Sequence, residues 1–309
     1  MRMRRLGTSG LKVSEVGLGC NNFGMRIDQK ATLGVVDAAI EAGITLFDTA
    51  DVYGGTQSEV MLGKALGKRR QHITLATKFG MQIGDDPARS GGSRRWIMRA
   101  VEDSLTRLGT DYIDLYQLHR YDTDTPVDET LRALDDLVTQ GKVRYIGNSN
   151  FTGWQIADAD WTAAGATRFV SAQNLFSLLE RKVEHEVLAS CEHFGLGFLP
   201  YFPLASGLLS GKYRRGEKPP EGTRLAVWGS RGAAALSDKN FDKVETLTAW
   251  AQAHDRTILE LAFAWLLGHE VVSSVIAGAT SPEQVKVNAA AGDWQLTPEE
   301  VAEVSALIS

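Results

Sequence analysis

Several polar residues stand at the ends of short apolar runs. Asp48 lies near the end of Thr45–Thr49, Lys78 closes Ile73–Lys78, and His119 closes Ile113–His119. Ser149 with Asn150, then Gln173, then Tyr201 end three later runs. A lysine after such a run is costly to bury alone, because a desolvated ammonium needs a counter-ion or loses its proton. Asp48, at the end of the preceding run, is its natural partner, since adjacent parallel strands lie ~5 Å apart. Tyr53, just beyond Asp48, then falls close to the ammonium. A phenol ordinarily ionises near pH ~10, and a neighbouring cation favours the phenolate and lowers that value. Such a tyrosine is expected to donate a proton near neutral pH, the chemistry of a general acid.

The elements that must hold these side chains can be read from pattern. The runs Glu15–Gly19, Thr45–Thr49, Ile73–Lys78, Ile113–His119, Arg144–Ser149, Arg168–Gln173, Gly197–Tyr201 and Ser273–Ala277 are apolar enough for strands buried on both faces. Between them lie stretches of helical spacing at 29–43, 57–69, 93–109, 126–141, 152–164, 182–195, 237–254, 256–269 and 281–291. Leu131, Leu134, Leu137 and Val138 share one helical face. Pro126 opens a helix, Gly43, Gly109 and Gly141 stop helices, and Thr297-Pro298-Glu299-Glu300 starts a terminal one. Strict strand–helix alternation implies parallel strands with right-handed crossovers. Eight such units predict an α/β fold, a (β/α)8 TIM barrel, with a doubly wound sheet as the alternative. The chain, 1–309, reads as a single barrel domain. Leu6–Val13 predicts an N-terminal β-hairpin that plugs the barrel floor. The glycine-rich stretch 205–236 is the longest irregular segment, a long lid loop after strand 7.

Composition narrows the function. The 309 residues carry 33 basic and 38 acidic side chains, a net charge of −5, which disfavours nucleic acid as the main partner. Hydrophobic residues at 43% with charged residues at 23% predict a packed core rather than disorder. The basic start, Met1–Gly7, has no apolar stretch behind it, and no run reaches the ~20 apolar residues of a membrane span. A soluble, cytoplasmic protein is expected. Cys20 and Cys191, far apart and outside any CxxC, read as packing residues.

Phe47-Asp48-Thr49-Ala50-Asp51-Val52-Tyr53-Gly54, Thr77-Lys78-Phe79-Gly80 and Tyr116-Gln117-Leu118-His119 resemble the Asp, Tyr, Lys and His catalytic motifs of the aldo-keto reductase superfamily. The likeness runs from Leu6–Leu11 through Gly141–Gly147 to Gly278–Asn288, in the potassium-channel β-subunit-like and bacterial branch. It implies NADPH-dependent reduction of an aldehyde or ketone, with NADH as the alternative cofactor. Tyr53 would be the acid, Lys78 would lower its pKa, Asp48 would hold Lys78, and His119 would polarise the carbonyl oxygen. Ser149, Asn150 and Gln173 would meet the nicotinamide carboxamide, and Tyr201 would stack on its ring. Pro203, Leu204, Ala205 and Gly207, with Lys212 and Arg224, would cover the pyrophosphate. Gly278, Thr280, Gln284 and Asn288 would hold the adenosine end. This chain departs from the pattern at Gly278 and Gln284, where a basic residue is common, at Val287 in place of glutamate, and at Asn148 in place of a small apolar residue.

Other features have plainer readings. His72, His185, His193, His254 and His269 lie away from the strand ends, so no metal site is expected. Gly17-Leu18-Gly19 reads as the tight exit from the first strand rather than a dinucleotide fingerprint. Trp154, Trp161, Trp250 and Trp265 are expected to pack against the barrel. Phe23, Phe79, Arg120 and Trp228 are candidate substrate contacts, and Met25, Met81 and Tyr121 also follow strand ends. A small-molecule carbonyl substrate, no nucleic acid, no membrane and room for a homo-oligomer complete the reading. A redox sensor or regulatory subunit that binds nicotinamide with little turnover is the second hypothesis.

Overall fold

The computed structural model describes residues 1–163 and 165–308. Strands β1 (Met3–Arg5) and β2 (Lys12–Ser14) pair antiparallel. There follow β3 (Val16–Gly19), α1 (Gln29–Glu41), β4 (Leu46–Asp48), α2 (Gln57–Leu66), β5 (Thr74–Phe79), α3 (Arg94–Leu108), β6 (Ile113–Leu118) and α4 (Val127–Thr139). The next elements are β7 (Val143–Ser149), α5 (Gly153–Thr162), β8 (Phe169–Gln173), α6 (Val187–Phe194) and β9 (Gly197–Phe198). Short helices α7 (Arg224–Val227) and α8 (Ser230–Ala235) precede α9 (Asp238–Ala253), α10 (Ile258–Leu267), β10 (Val275–Gly278), α11 (Pro282–Ala291) and α12 (Pro298–Leu307).

The strands from β3 to β10 form one eight-stranded sheet in the order β10-β3-β4-β5-β6-β7-β8-β9, parallel at every pairing. Ser273 N–H donates to the Phe198 carbonyl at 2.9 Å and Ile276 N–H to that of Pro200 at 3.0 Å, so the two edges meet. Strand order never reverses, as a doubly wound sheet would require. The arrangement is an α/β fold consistent with a (β/α)8 barrel.

Strand alternation sorts the side chains into two cores. Leu46, Ala76, Leu115, Leu199 and Ile276 point inward and pack with Leu6 and Val13 from the β1–β2 end. Phe47, Leu75, Phe79, Tyr116, Leu118 and Ile146 point outward into the larger core under the helices. The same alternation sends Asp48, Lys78, Gln117 and Gln173 toward the axis, one layer above the inward apolar residues. Helix ends keep this frame in register. Ser93 accepts from Trp96 N–H to start α3, and Gly109 ends it in a left-handed conformation at φ 63°. The stripe Leu131, Leu134 and Leu137 buries one face of α4.

Four expectations need correction. The stretch 57–69 ends as α-helix at Leu66 and continues as a 3-10 turn over Gly67–His72. The stretch 182–195 divides into a 3-10 turn, Lys182–His185, and α6. Helix α5 covers most of 152–164, of which position 164 lies outside the described residues. The stretch 205–236 is not irregular throughout, because it holds a 3-10 segment at Ala205–Ser210 as well as α7 and α8. The tryptophans also divide. Trp250 and Trp265 are buried, whereas Trp154 and Trp161 are 58% and 71% exposed. Helix α5 buries Ile156 and Ala159, and its two tryptophans, seven residues apart, lie on the other face. Cys20 and Cys191 are both buried free thiols. Among the described residues no helix is long and apolar enough to cross a membrane.

Candidate active site

Neighbouring strand ends bring the charged groups together. Asp48 ends β4 and Lys78 lies on β5, whose register sets Asp48 beside Ala76. Lys78 is wholly buried, and its ammonium has three acceptors: Asp48 Oδ2 at 2.5 Å, the Thr49 carbonyl at 3.0 Å and Tyr53 Oη at 3.5 Å. These satisfy all of its donors. Asp48 holds the lysine charged: the carboxylate raises the Lys78 pKa against the burial that lowers it. The other oxygen of Asp48 accepts from Gln173 Nε2 at 2.8 Å and Gln117 Nε2 at 3.1 Å. Gln173 Nε2 also donates to Gln117 Oε1 at 3.3 Å.

Tyr53 stands where the sequence placed it, but its acidity differs from expectation. Burial pushes the phenol above its ordinary value, and Lys78 only partly pulls it back. The sequence argument weighed the cation and omitted desolvation, which is the larger effect here. Tyr53 is therefore protonated throughout the neutral range, the form a proton donor needs.

His119 follows β6, its N–H bonded to the Phe79 carbonyl at 2.8 Å and its ring edge-on to Tyr53 with centroids 5.7 Å apart. Burial first, then the charges of Lys78 and Arg120, lower its pKa to about 3, so the imidazole is neutral. Its Nδ1 is buried without a partner. An orphaned N–H costs more than a bare lone pair, which favours the tautomer carrying hydrogen on Nε2. Cys20, from the first strand end, also faces this group. Burial and then Asp48 drive its thiol pKa well above the ordinary value.

Ser149, Asn150, Gln173 and Tyr201 form an adjoining cluster. Ser149 Oγ donates to the Gln173 carbonyl at 2.8 Å. The Asn150 amide donates to the His119 carbonyl and Ser149 Oγ, both at 3.0 Å, and accepts from Tyr201 Oη at 2.8 Å. Asn150 has φ 59°, a left-handed turn that asparagine tolerates better than most residues. Asn148 points the opposite way and is buried with both amide atoms unpartnered. It therefore does not line this cluster.

The segment beyond β9 crosses the mouth. Pro203, Leu204, Ala205 and Gly207 make its first turns, with positive φ at Phe202, Ala205, Ser206 and Gly207. A Cβ on Gly207 would lie 2.6 Å from Lys212 Nζ. Arg224 lies over the rings of Phe202 and Trp228 at 4.9 and 5.9 Å, and bonds Asn22 Oδ1 at 3.2 Å. Arg26 returns the contact, donating to the Gly222 carbonyl at 2.6 Å. Partial burial and then Arg26 and Arg224 lower the Lys212 pKa, a sign that three cations converge. Asn22 also donates to the Ala279 carbonyl at 3.1 Å, tying this segment to the loop after β10. There Gly278 is exposed, Thr280 donates to Gln284 Oε1 at 2.9 Å through its N–H, and Asn288 is buried on α11.

The proposed substrate contacts separate. Arg120 and Trp228 sit at the mouth, Arg120 exposed and Trp228 packed against Phe202 at 6.4 Å. Phe23 and Phe79 are wholly buried, and Phe79 stacks on Tyr116 at 4.6 Å. Because Lys78 faces inward, Phe79 must face the helices, so neither phenylalanine is presented to a ligand. Sequence reasoning gave no role to Gln117, Asn22, Arg26 or Phe202. Gln117 was legible in principle, since it lies two residues before His119 on an inward-facing strand position.

The model of the aldo/keto reductase family matches residues 15–309. A probable voltage-gated potassium channel subunit beta of Oryza sativa subsp. japonica is 36% identical, covering 100% of this chain and 97% of that protein. An uncharacterised oxidoreductase of Bacillus subtilis is 38% identical, over 93% of this chain and 89% of its own length. A versiconal hemiacetal acetate reductase of Aspergillus parasiticus is 34% identical, over 97% and 95%. The strand-end Asp–Lys–Tyr–His constellation and these full-length likenesses agree: the chain belongs to the aldo/keto reductase family and is an NAD(P)H-dependent oxidoreductase.

Proposed function

We propose that the protein reduces an aldehyde or ketone to an alcohol, with Tyr53 as proton donor and NADPH as cofactor. The observation that carries this reading is Lys78, wholly buried, with its three hydrogens spent on Asp48, Thr49 and Tyr53. A buried ammonium aimed at a phenol stabilises the phenolate that proton donation leaves behind.

A nicotinamide nucleotide suits the mouth. Arg26, Lys212 and Arg224 converge there, and their partners are a carbonyl, an amide oxygen and aromatic rings rather than carboxylates. Such a grouping favours an anion with several charges, such as the pyrophosphate that NADPH and NADH share. Gly278 adds a bare backbone near the start of α11, where a Cβ would meet Asn21 and Asn22 at 3.2 Å. Ser149, Asn150 and Gln173 offer amide and hydroxyl groups for a carboxamide, and Tyr201 offers a ring. Pro203, Leu204, Ala205 and Gly207 serve as covering loop, and Gly278, Thr280, Gln284 and Asn288 as adenosine contacts. When bound, the nucleotide supplies the hydride.

The remaining steps belong to the chain. Neutral His119 donates from Nε2 to the carbonyl oxygen and orients it beside Tyr53. Tyr53 passes its phenolic proton to that oxygen as the carbon is reduced, and Lys78 holds the resulting phenolate. The segment 205–236 acts as a lid that excludes water, with Trp228 and Arg120 toward the substrate. A small-molecule carbonyl compound, a single cytoplasmic domain over 1–309, no nucleic-acid or membrane partner and room for a homo-oligomer complete the proposal.

Turnover of 4-nitrobenzaldehyde with NADPH or NADH, followed at 340 nm, tests it. Tyr53→Phe should slow the chemical step by roughly 10²–10⁴-fold while leaving NADPH affinity nearly intact. An unchanged step in this variant would remove Tyr53 from the chemistry. The rice relative's name, a channel subunit, supports a second reading as a nicotinamide-binding sensor. Tight NADPH binding with negligible turnover across many carbonyls would favour that reading.

A further inference from the structure

The carboxylate of Asp48 has two faces with different duties. Oδ2 grips the Lys78 ammonium at 2.5 Å, while Oδ1 takes two amide hydrogens, from Gln173 at 2.8 Å and Gln117 at 3.1 Å. The glutamines also bond to each other, Gln173 Nε2 to Gln117 Oε1 at 3.3 Å. All four side chains are buried, and they come from four strands, β4, β5, β6 and β8. A buried carboxylate needs such donors to remain charged, and the donors draw its charge toward the oxygen they touch.

That distribution matters to Tyr53. Asp48 keeps Lys78 charged, which favours the phenolate, yet its own negative charge opposes the phenolate. We propose that Gln117 is a positioning residue for the reductase chemistry: with Gln173 it clamps Oδ1 of Asp48, holding the carboxylate against Lys78 and drawing its charge away from Tyr53. Gln117 reaches neither Tyr53 nor the mouth by any bond of its own and acts through Asp48. The groups facing Tyr53 are Asp48 from β4, Lys78 from β5, Cys20 beyond β3, His119 beyond β6 and Tyr201 beyond β9. Of these, the clamp touches Asp48 alone.

The proposal rests on Tyr53 as the acid, and its test separates the two ideas. Gln117→Met keeps an unbranched chain of similar length and removes the amide. Without the clamp the phenolate is less favoured, so alcohol oxidation, which needs phenolate as base, should fall by about threefold to tenfold on the neutral side of its pH profile. The profile itself should move alkaline by about one pH unit. Because the overall equilibrium at any one pH is fixed, kcat/KM for carbonyl reduction should fall by the same factor there, the phenol being a weaker acid. An unmoved profile overturns the clamp. A second measurement needs no turnover: in cofactor-free protein labelled at tyrosine Cζ, the Tyr53 signal is identified by its loss in Tyr53→Phe. It should show a smaller ionised fraction at any given alkaline pH in Gln117→Met, and an unchanged fraction overturns the proposal. Should Gln117→Met fail to fold, Gln173→Met removes the other donor and is read by the same signal. Failure of the wild type to turn over carbonyls would instead count against the proposed reaction, with the Tyr53 signal still reporting on the clamp.

Discussion

The floor of the site and the segment above it are built on opposite principles. At the floor, Asp48, Lys78, Gln117 and Gln173 are buried on strands whose backbone bonds leave no freedom, and short bonds link each to the next. Across the mouth, 205–236 runs through positive-φ turns and short helices, carries exposed charge, and is held by a few long side chains such as Arg26 and Arg224. In the proposed reaction the floor fixes where a proton moves. In the same proposal the upper segment fixes what is admitted, and loops can change without disturbing the strands beneath.

The contrast can be broken most severely at its lower side. Lys78→Met leaves Asp48 buried without its counter-ion and should cost about 3–5 kcal/mol of stability, measured by urea unfolding, and abolish turnover. A well-folded, active Lys78→Met would mean that the floor is not electrostatically coupled. Above, Arg224→Ala should raise the dissociation constant for NADPH by roughly tenfold to a hundredfold with folding stability little changed, as fluorescence titration would record. If Arg224→Ala instead destabilised the fold as much as the lysine change, the two regions would not be separable.

A pH test sharpens the same distinction. His119 is held near a pKa of about 3 in the fold, against an ordinary value near 6.5. The unfolded chain therefore takes up its proton first as pH falls. The associated stability is complete above pH ~6.5 and is lost downward toward pH ~3, by about 2 kcal/mol between pH 6.5 and 5. His119→Asn should flatten that part of the profile in urea melts, and an unchanged slope would show that other groups dominate it. The smallest effect is expected from Arg26→Ala. This exposed residue should change NADPH affinity by no more than about fivefold, and NADH affinity by a similar factor.

The sequence made the strands legible because runs such as Ile113–His119 are buried on both faces and end in chemistry-bearing residues. It also placed the Asp48–Lys78 pair, since only a neighbouring strand end brings an anion to a lysine so deep. Phe79 was misjudged because proximity in sequence to Lys78 is not proximity in space: alternation turns it outward. The acidity of Tyr53 escaped for a different reason, since burial is a property of the whole fold and outweighs the visible cation. Helices α7 and α8 were hidden by Gly222, Gly229 and Gly232, which punctuate the pattern that spacing arguments rely on. Partnerships such as Gln173 with Asp48, far apart in the chain, need the closed register of several strands and have no local signature.

The full satisfaction of Lys78 has one more consequence. Aldehydes condense with free amines and add thiolates as hemithioacetals, so a pocket that handled them as proposed would risk capture of its own side chains. Here the amine is kept as ammonium with every hydrogen committed, and the Cys20 thiol beside it is held far from its thiolate form. The arrangement proposed to ready Tyr53 for proton transfer also leaves the amine and the thiol beside it poor nucleophiles.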